Sequence, residues 1–209
     1  MPSDLEAWEE KHGKIPDDVI LLVFYDWGKH WPDKKEYLGT DTKNTSLLHF
    51  PGKSQKVNEG EGGRGVWLLF FPPSDVRVTQ IFLYSTFLFE GIHPDASRWL
   101  VKNRKIKLIG LDTASLDYGQ SKMFESHQIL FEKNIPGLEN VAHMDKLPTK
   151  GFTVYAAPMF ITGGSGAPCR LFARLDEVDK KGRTVNAGVK LINMNMFWGI
   201  TVFLFFCIL

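Results

Sequence analysis

The chain has little cysteine and almost no net charge. Its 209 residues hold two cysteines, Cys169 and Cys207, too few for a disulfide framework and wrongly spaced for a zinc knuckle. The mild implication is a reduced, cytoplasmic setting. Formal net charge is +1, and the basic residues are scattered. Lys34-Lys35 and Lys180-Lys181 are too short to make an arm, so nothing favours nucleic acid as a partner. Met1-Pro2-Ser3-Asp4 has neither a basic n-region nor an apolar h-region, so no signal peptide is expected. No internal repeat is visible. A chain of 209 residues has room for one domain with a real core.

Against these absences stands one informative stretch, from Asp112 to Asn140. The mostly apolar run Ile106 to Leu111 stops at Asp112 and a polar, Gly-containing loop follows. A buried strand delivering a carboxylate to a site reads this way, and ligands collect at the carboxyl ends of strands in open α/β sheets. His127 and Glu139 add an imidazole and a carboxylate, a pair suited to metal binding or proton transfer. Spacing alone does not separate this pair from ordinary surface or core residues. Asp112 has a plain alternative role, capping its own loop through the backbone amides of residues 114 and 115.

The elements around this stretch can be placed in order. Ser3-Asp4-Leu5-Glu6 forms a capping box for a helix burying Leu5 and Trp8, which Gly13 ends. Val19 to Phe24 is continuously apolar and predicts a strand buried on both faces, hence parallel. Pro94 to Asn103 predicts a helix that leads into the strand 106–111. Phe124 to Phe131 predicts a short helix carrying His127. Residues 138–141 predict a short strand or bend. Phe152 to Phe160, with Pro158 marking an edge, pairs with the alternating segment Arg170 to Leu175.

Asp112-Thr113-x-Ser115-Leu116-Asp117, then Ser126-His127-x-x-Leu130, then Gly137-Leu138-Glu139-Asn140, with the later glycine loop Gly163 to Arg170, resemble the cyclase family of metal-dependent hydrolases. That family includes the bacterial-type kynurenine formamidases and the isatin hydrolases. The resemblance covers residues 4–52 and 92–175. It implies an α/β fold of the swivelling β/β/α type, incomplete at its N-terminus, and a homodimer. It implies hydrolysis of an amide, an aryl formamide or a cyclic amide, in tryptophan- or kynurenine-like catabolism. Zinc or manganese would generate hydroxide and polarise the carbonyl. His127 and Glu139 would be catalytic residues and metal ligands. Trp27 would stack on an aromatic substrate, although a tryptophan covering the sheet edge is an equal alternative. Phe24, Tyr25 and Asp26 depart from the family's smaller, Gly-containing sequence here.

Two departures limit what the resemblance carries. The family's first ligands come from His-x-Gly-Thr-His-x-Asp-x-Pro-x-His, and no two of the six histidines (His12, His30, His49, His93, His127 and His143) stand at that spacing. Residues 53–91 read as an insertion peripheral to a hydrolase domain of residues 1–175. A retained intron is the leading explanation, because Gly52-Lys53-Ser54 can be written as an intron start and Ile81 to Phe89 as a pyrimidine tract. A functional lid and a wrong gene model are the alternatives. Residues 176–209 read as a polar linker and an apolar tail outside the family pattern. As a helix, residues 191–209 would span about 28 Å, close to a bilayer core. A membrane anchor and translated non-coding sequence are the two readings, the second preferred. Three functions follow: an arylformamidase-type hydrolase, a catalytically dead isoform acting as a subunit or partner, or a non-functional mis-spliced product.

Overall fold

A computed structural model describes residues 1–49, 66–69, 80–83, 91–147, 152–178, 184–194 and 207–208. Its elements are α1 (Pro2–His12), β1 (Ile20–Phe24), α2 (Lys34–Leu38), β2 (Val66–Leu69), β3 (Gln80–Leu83), α3 (Pro94–Asn103), β4 (Leu108–Leu111), α4 (Glu125–Phe131), β5 (Gly137–Leu138), β6 (Phe152–Pro158), β7 (Cys169–Val178), β8 (Thr184–Asn193) and β9 (Cys207–Ile208).

The strands form two sheets. One is six-stranded and mixed, in the order β3-β2-β1-β4-β5-β9, and the other is three-stranded, in the order β6-β7-β8. β1, β4 and β5 run parallel at the centre of the first, with Leu22 opposite Gly110 and Gly110 opposite Leu138. All members of the second sheet are antiparallel.

The continuous apolar run of β1 explains the layering. Successive residues of a strand point to opposite faces. Leu21 and Val23 join one buried cluster with Leu5, Trp8, Ala96, Leu100, Ile109, Leu111 and Leu130, the helical side. Leu22 and Phe24 join another with Leu108, Leu138, Phe152, Val154, Leu171, Ala173 and Ile192, the side of the small sheet. Helices, mixed sheet and antiparallel sheet thus stack as three layers, the β/β/α arrangement that the resemblance implies. Gly110 makes the central approach possible: a Cβ there would lie 2.5 Å from Leu22 Cδ2.

Several expectations need correction. α1 begins before Ser3; the Met1 amino group donates to Asp4 Oδ2 at 2.7 Å, and Asp4 N–H to the Met1 carbonyl at 3.1 Å. The Met1 carbonyl, not the Ser3 hydroxyl, thus accepts a first-turn amide. β1 is parallel on one side only, since β2 pairs with it antiparallel. Two stretches of the segment 53–91, β2 and β3, add to the edge of the mixed sheet. The rest of that segment lies outside the described residues. Part of the proposed linker and tail is also sheet: β8 pairs with β7, and Ile192 and Met194 enter the core. β9 pairs antiparallel with β5. The remainder of the apolar tail lies outside the described residues. Among the described residues, no helix is long and apolar enough to cross a membrane.

Candidate functional site

The parallel centre of the mixed sheet delivers its strand ends to one place. β1 ends at Phe24, β4 at Leu111 and β5 at Leu138, so Tyr25, Asp112 and Glu139 each follow a strand end. Two adjoining polar networks form there.

The first is built on Asp112, which is buried. Its Oδ1 accepts from the Tyr25 N–H at 2.9 Å and its Oδ2 from the Trp27 N–H at 2.7 Å. The plain role of Asp112 is therefore correct in kind, but the amides are those of residues 25 and 27, not 114 and 115. The carboxylate ties two parallel strand ends together across the sheet. Burial pushes its carboxyl up to about 7, against the pull of the Tyr25, Trp27 and Gly28 amides. The Tyr37 hydroxyl bridges the Asp112 carbonyl (3.0 Å) and Asn140 Oδ1 (2.8 Å). Burial raises the Tyr37 phenol well above its ordinary value, with Asp112 and Glu139 adding to it, so it stays a donor. Trp27 is half-buried, its indole N–H donates to the Tyr37 carbonyl at 2.9 Å, and its ring lies 4.3 Å from that of His30. The loop bearing Trp27 is thus fixed at both its amide and its ring.

The second network centres on His127. Its Nε2 lies 3.1 Å from Glu139 Oε1, and its Nδ1 lies 2.5 Å from Asp117 Oδ2. Glu139 Oε1 also accepts from the Leu116 N–H at 3.0 Å. Asp117 accepts the N–H of Ser126 at 2.9 Å on Oδ1 and of His127 at 3.1 Å on Oδ2. Both carboxylates are buried. The rings of Phe124 and Phe131 meet the imidazole edge-on, with centroids at 5.8 and 5.2 Å. The structure thus brings His127 and Glu139 together and sets Asp112 in the neighbouring network, joined through Asn140. Asp117 was not singled out from the sequence as a site residue. It closes the first block of the family motif, in a polar loop that reads as a turn, ten positions before the histidine it holds.

Burial alone would lower the imidazolium of His127, but hydrogen bonds to Asp117 and Glu139 outweigh it and hold the group up at about 9. A base whose folded value is raised stabilises the fold fully below its unfolded value, about 6.5. That contribution is lost as pH rises through about 9. Asp112 acts lower: an acid raised from 3.8 to about 7 loses stability as pH rises across that interval and is flat above it. The window from about 7 to about 9 therefore isolates His127. The denaturant midpoint should fall across it in the wild-type chain and fall less in His127→Ala. Equal slopes in the two proteins would contradict the paired imidazolium.

A catalytic zinc takes about three protein ligands plus an open position. Among the described residues, no group of three His, Cys, Asp or Glu side chains is placed to hold an ion. Asp117 lies on the far nitrogen of the His127 ring, and His127 Nε2 and Glu139 are hydrogen-bonded to each other. His127 Nε2 and Glu139, two donors among the described residues, do not make up such a site.

Comparison with known proteins agrees with this architecture. The family model described as "Putative cyclase" matches residues 1–118. The chain is 26% identical over 173 residues to an isatin hydrolase of Roseibium aggregatum, covering 81% of this chain and 49% of that protein. A kynurenine formamidase of Paracidovorax citrulli is 33% identical over 69 residues, 33% of this chain and 32% of the relative. Among solved structures, isatin hydrolase A from Ralstonia solanacearum superposes with a TM-score of 0.55 at 26% identity, over 81% of this chain and 50% of that one. The chain spans about half the length of the isatin hydrolases it matches. The family match covers more than half of the chain and the fold is shared with solved relatives, and the chain belongs to the cyclase family.

Proposed function

We propose that this chain is a hydrolase that cleaves the C–N bond of an amide, an aryl formamide or a cyclic amide, in tryptophan- or kynurenine-like catabolism. The observation that carries the reading is the His127 imidazole set between a carboxylate that holds it and a carboxylate that faces it. The names of the relatives, an isatin hydrolase and kynurenine formamidases, supply the substrate class.

In this reading Glu139 accepts a proton from water as the water oxygen attacks the carbonyl carbon. His127, an imidazolium at neutral pH, hands its Nε2 proton to the departing nitrogen as the C–N bond breaks. The products are a carboxylic acid and an amine. Trp27, with its ring plane fixed by the Tyr37 carbonyl, stacks on the aryl group. General acid–base catalysis of this kind supplies about 10²–10⁴-fold. Zinc or manganese belongs to the resemblance, where its chemistry is hydroxide generation; the described donors fall short of a full ligand set. The setting proposed is cytoplasmic, with the chain as a homodimer.

The shortage of ligands favours one alternative, a catalytically silent subunit. Assaying the full 209-residue chain on N-formylkynurenine, isatin and an aliphatic formamide, with and without added zinc or manganese, separates the two. Turnover of the aryl substrates above the aliphatic one supports the hydrolase. A folded chain with no turnover under any condition supports the silent subunit.

A further inference from the structure

We infer that Asp117 is the positioning residue of this site, its carboxylate fixing the His127 ring so that Nδ1 is held and Nε2 faces Glu139. The side chain is 1% exposed and accepts three N–H groups, from Ser126 N, His127 N and His127 Nδ1. A carboxylate offers about four acceptor positions, so Asp117 is nearly saturated. The two backbone bonds anchor it to the first turn of α4 independently of the ring. The ring is then anchored to a carboxylate that is itself held.

Capping alone would not need this arrangement. The amides of residues 126 and 127 could be satisfied by any short polar side chain, whereas the Nδ1 contact needs an acceptor in the plane of the imidazole. Turning the ring over about its Cβ–Cγ bond would exchange Nδ1 with Cδ2 and Nε2 with Cε1. Both the Asp117 and the Glu139 bonds would be lost. The rings of Phe124 and Phe131 pack against the imidazole at near right angles. Phe124 holds a left-handed backbone, φ 49° and ψ 47°, a conformation that a bulky residue adopts only under constraint. Its N–H donates to Ser121 Oγ at 3.0 Å. The chain is bent here to bring the start of α4 over Asp117.

This inference rests on the proposed hydrolysis only for its effect on turnover, so the test has a separate structural arm. Full-length chain carrying ¹⁵N-labelled histidine is observed by NMR at one fixed neutral pH, as wild type and as Asp117→Asn. The wild type should show a His127 Nδ1 proton protected from exchange with water, unlike the ring of exposed His12. In Asp117→Asn that protection should be lost, while the Ser126 and His127 amides stay protected, because an asparagine oxygen can still accept from them. Turnover should drop about 10²-fold through kcat, with KM little changed. In a His127→Ala background the same substitution should have no further effect on kcat.

An unchanged Nδ1 proton in Asp117→Asn overturns the inference, as does, in a chain that turns over, an unchanged kcat or a further loss in the His127→Ala background. If Asp117→Asn does not fold, the wild-type spectrum decides alone, since an Nδ1 proton exchanging as fast as that of His12 overturns it. A protected proton in a chain without turnover supports the positioning and defeats the proposed reaction. Turnover with a freely exchanging Nδ1 does the reverse.

Discussion

Replacing His127 by Ala should bring hydrolysis of an aryl formamide down to the uncatalysed rate, a loss of about 10²–10⁴-fold. The imidazole touches both buried carboxylates of the second network. Its removal leaves Glu139 with the Leu116 amide as partner and leaves the departing nitrogen without that proton donor. The loss should not come from unfolding. α4 keeps Asp117 on the Ser126 amide, and Leu130 stays in the core. Steady-state rates measured beside a thermal melt check this. A variant that melts near wild type and retains most of the rate would remove His127 from the chemistry.

Gly91→Ala should be the costliest small substitution in the described chain, destabilising by on the order of 3 kcal/mol. Gly91 has φ +71°, and a Cβ there would lie 2.3 Å from the Leu116 carbonyl oxygen and 2.7 Å from the Asp117 carbonyl carbon. These are backbone atoms and cannot swing aside. The strained φ alone accounts for about 1–2 kcal/mol, and displacement of the 116–117 backbone adds the rest. The next residue compounds it: Ile92 N–H donates to the Leu116 carbonyl at 2.7 Å, and the Ile92 carbonyl accepts from Ser126 Oγ at 2.6 Å. Moving this segment moves both the loop bearing Asp117 and the start of α4. Gly163→Ala is the control, with φ +72° and nothing within 4 Å of the added carbon. Denaturant midpoints should fall much further for Gly91→Ala. Equal losses would mean that the contact with residues 116 and 117 is immaterial.

How much of this was legible in the sequence depended on burial and periodicity. α3 matches Pro94 to Asn103 because a first-turn proline, an apolar stripe and a following strand all mark it. β1 and β4 were visible as apolar runs, fully buried in β4 and nearly so in β1. The β6–β7 pairing was visible through alternation. β8 was missed because its polar start, Thr184 to Asn186, reads as part of a linker, and nothing in the local pattern says that β7 needs a third partner. β5 is only two residues long, shorter than any periodicity can register.

The site divides in the same way. His127 and Glu139 carry their chemistry in their residue types, and the resemblance paired them. Asp117 acquires its partner only when the turn at residues 115–121 folds back on α4, a long-range event. Asp112 was placed correctly at a strand end, but its partners, the amides of residues 25 and 27, lie 87 and 85 positions away in the chain. Local turn rules could only offer it nearby amides. Tyr37 likewise bonds Asp112 and Asn140, 75 and 103 positions away.

The central claim is that His127 and Glu139 act on an amide as one unit, and a double-mutant cycle on the full chain tests it most directly. Rates of aryl formamide hydrolysis are compared for wild type, His127→Ala, Glu139→Gln and the double variant. Groups that act together lose nearly everything on the first removal, so the double variant should be no slower than either single one. Gln at 139 keeps an oxygen for the Leu116 amide, which limits structural damage. Losses that add in full, or single variants that each retain the wild-type rate, would contradict the account.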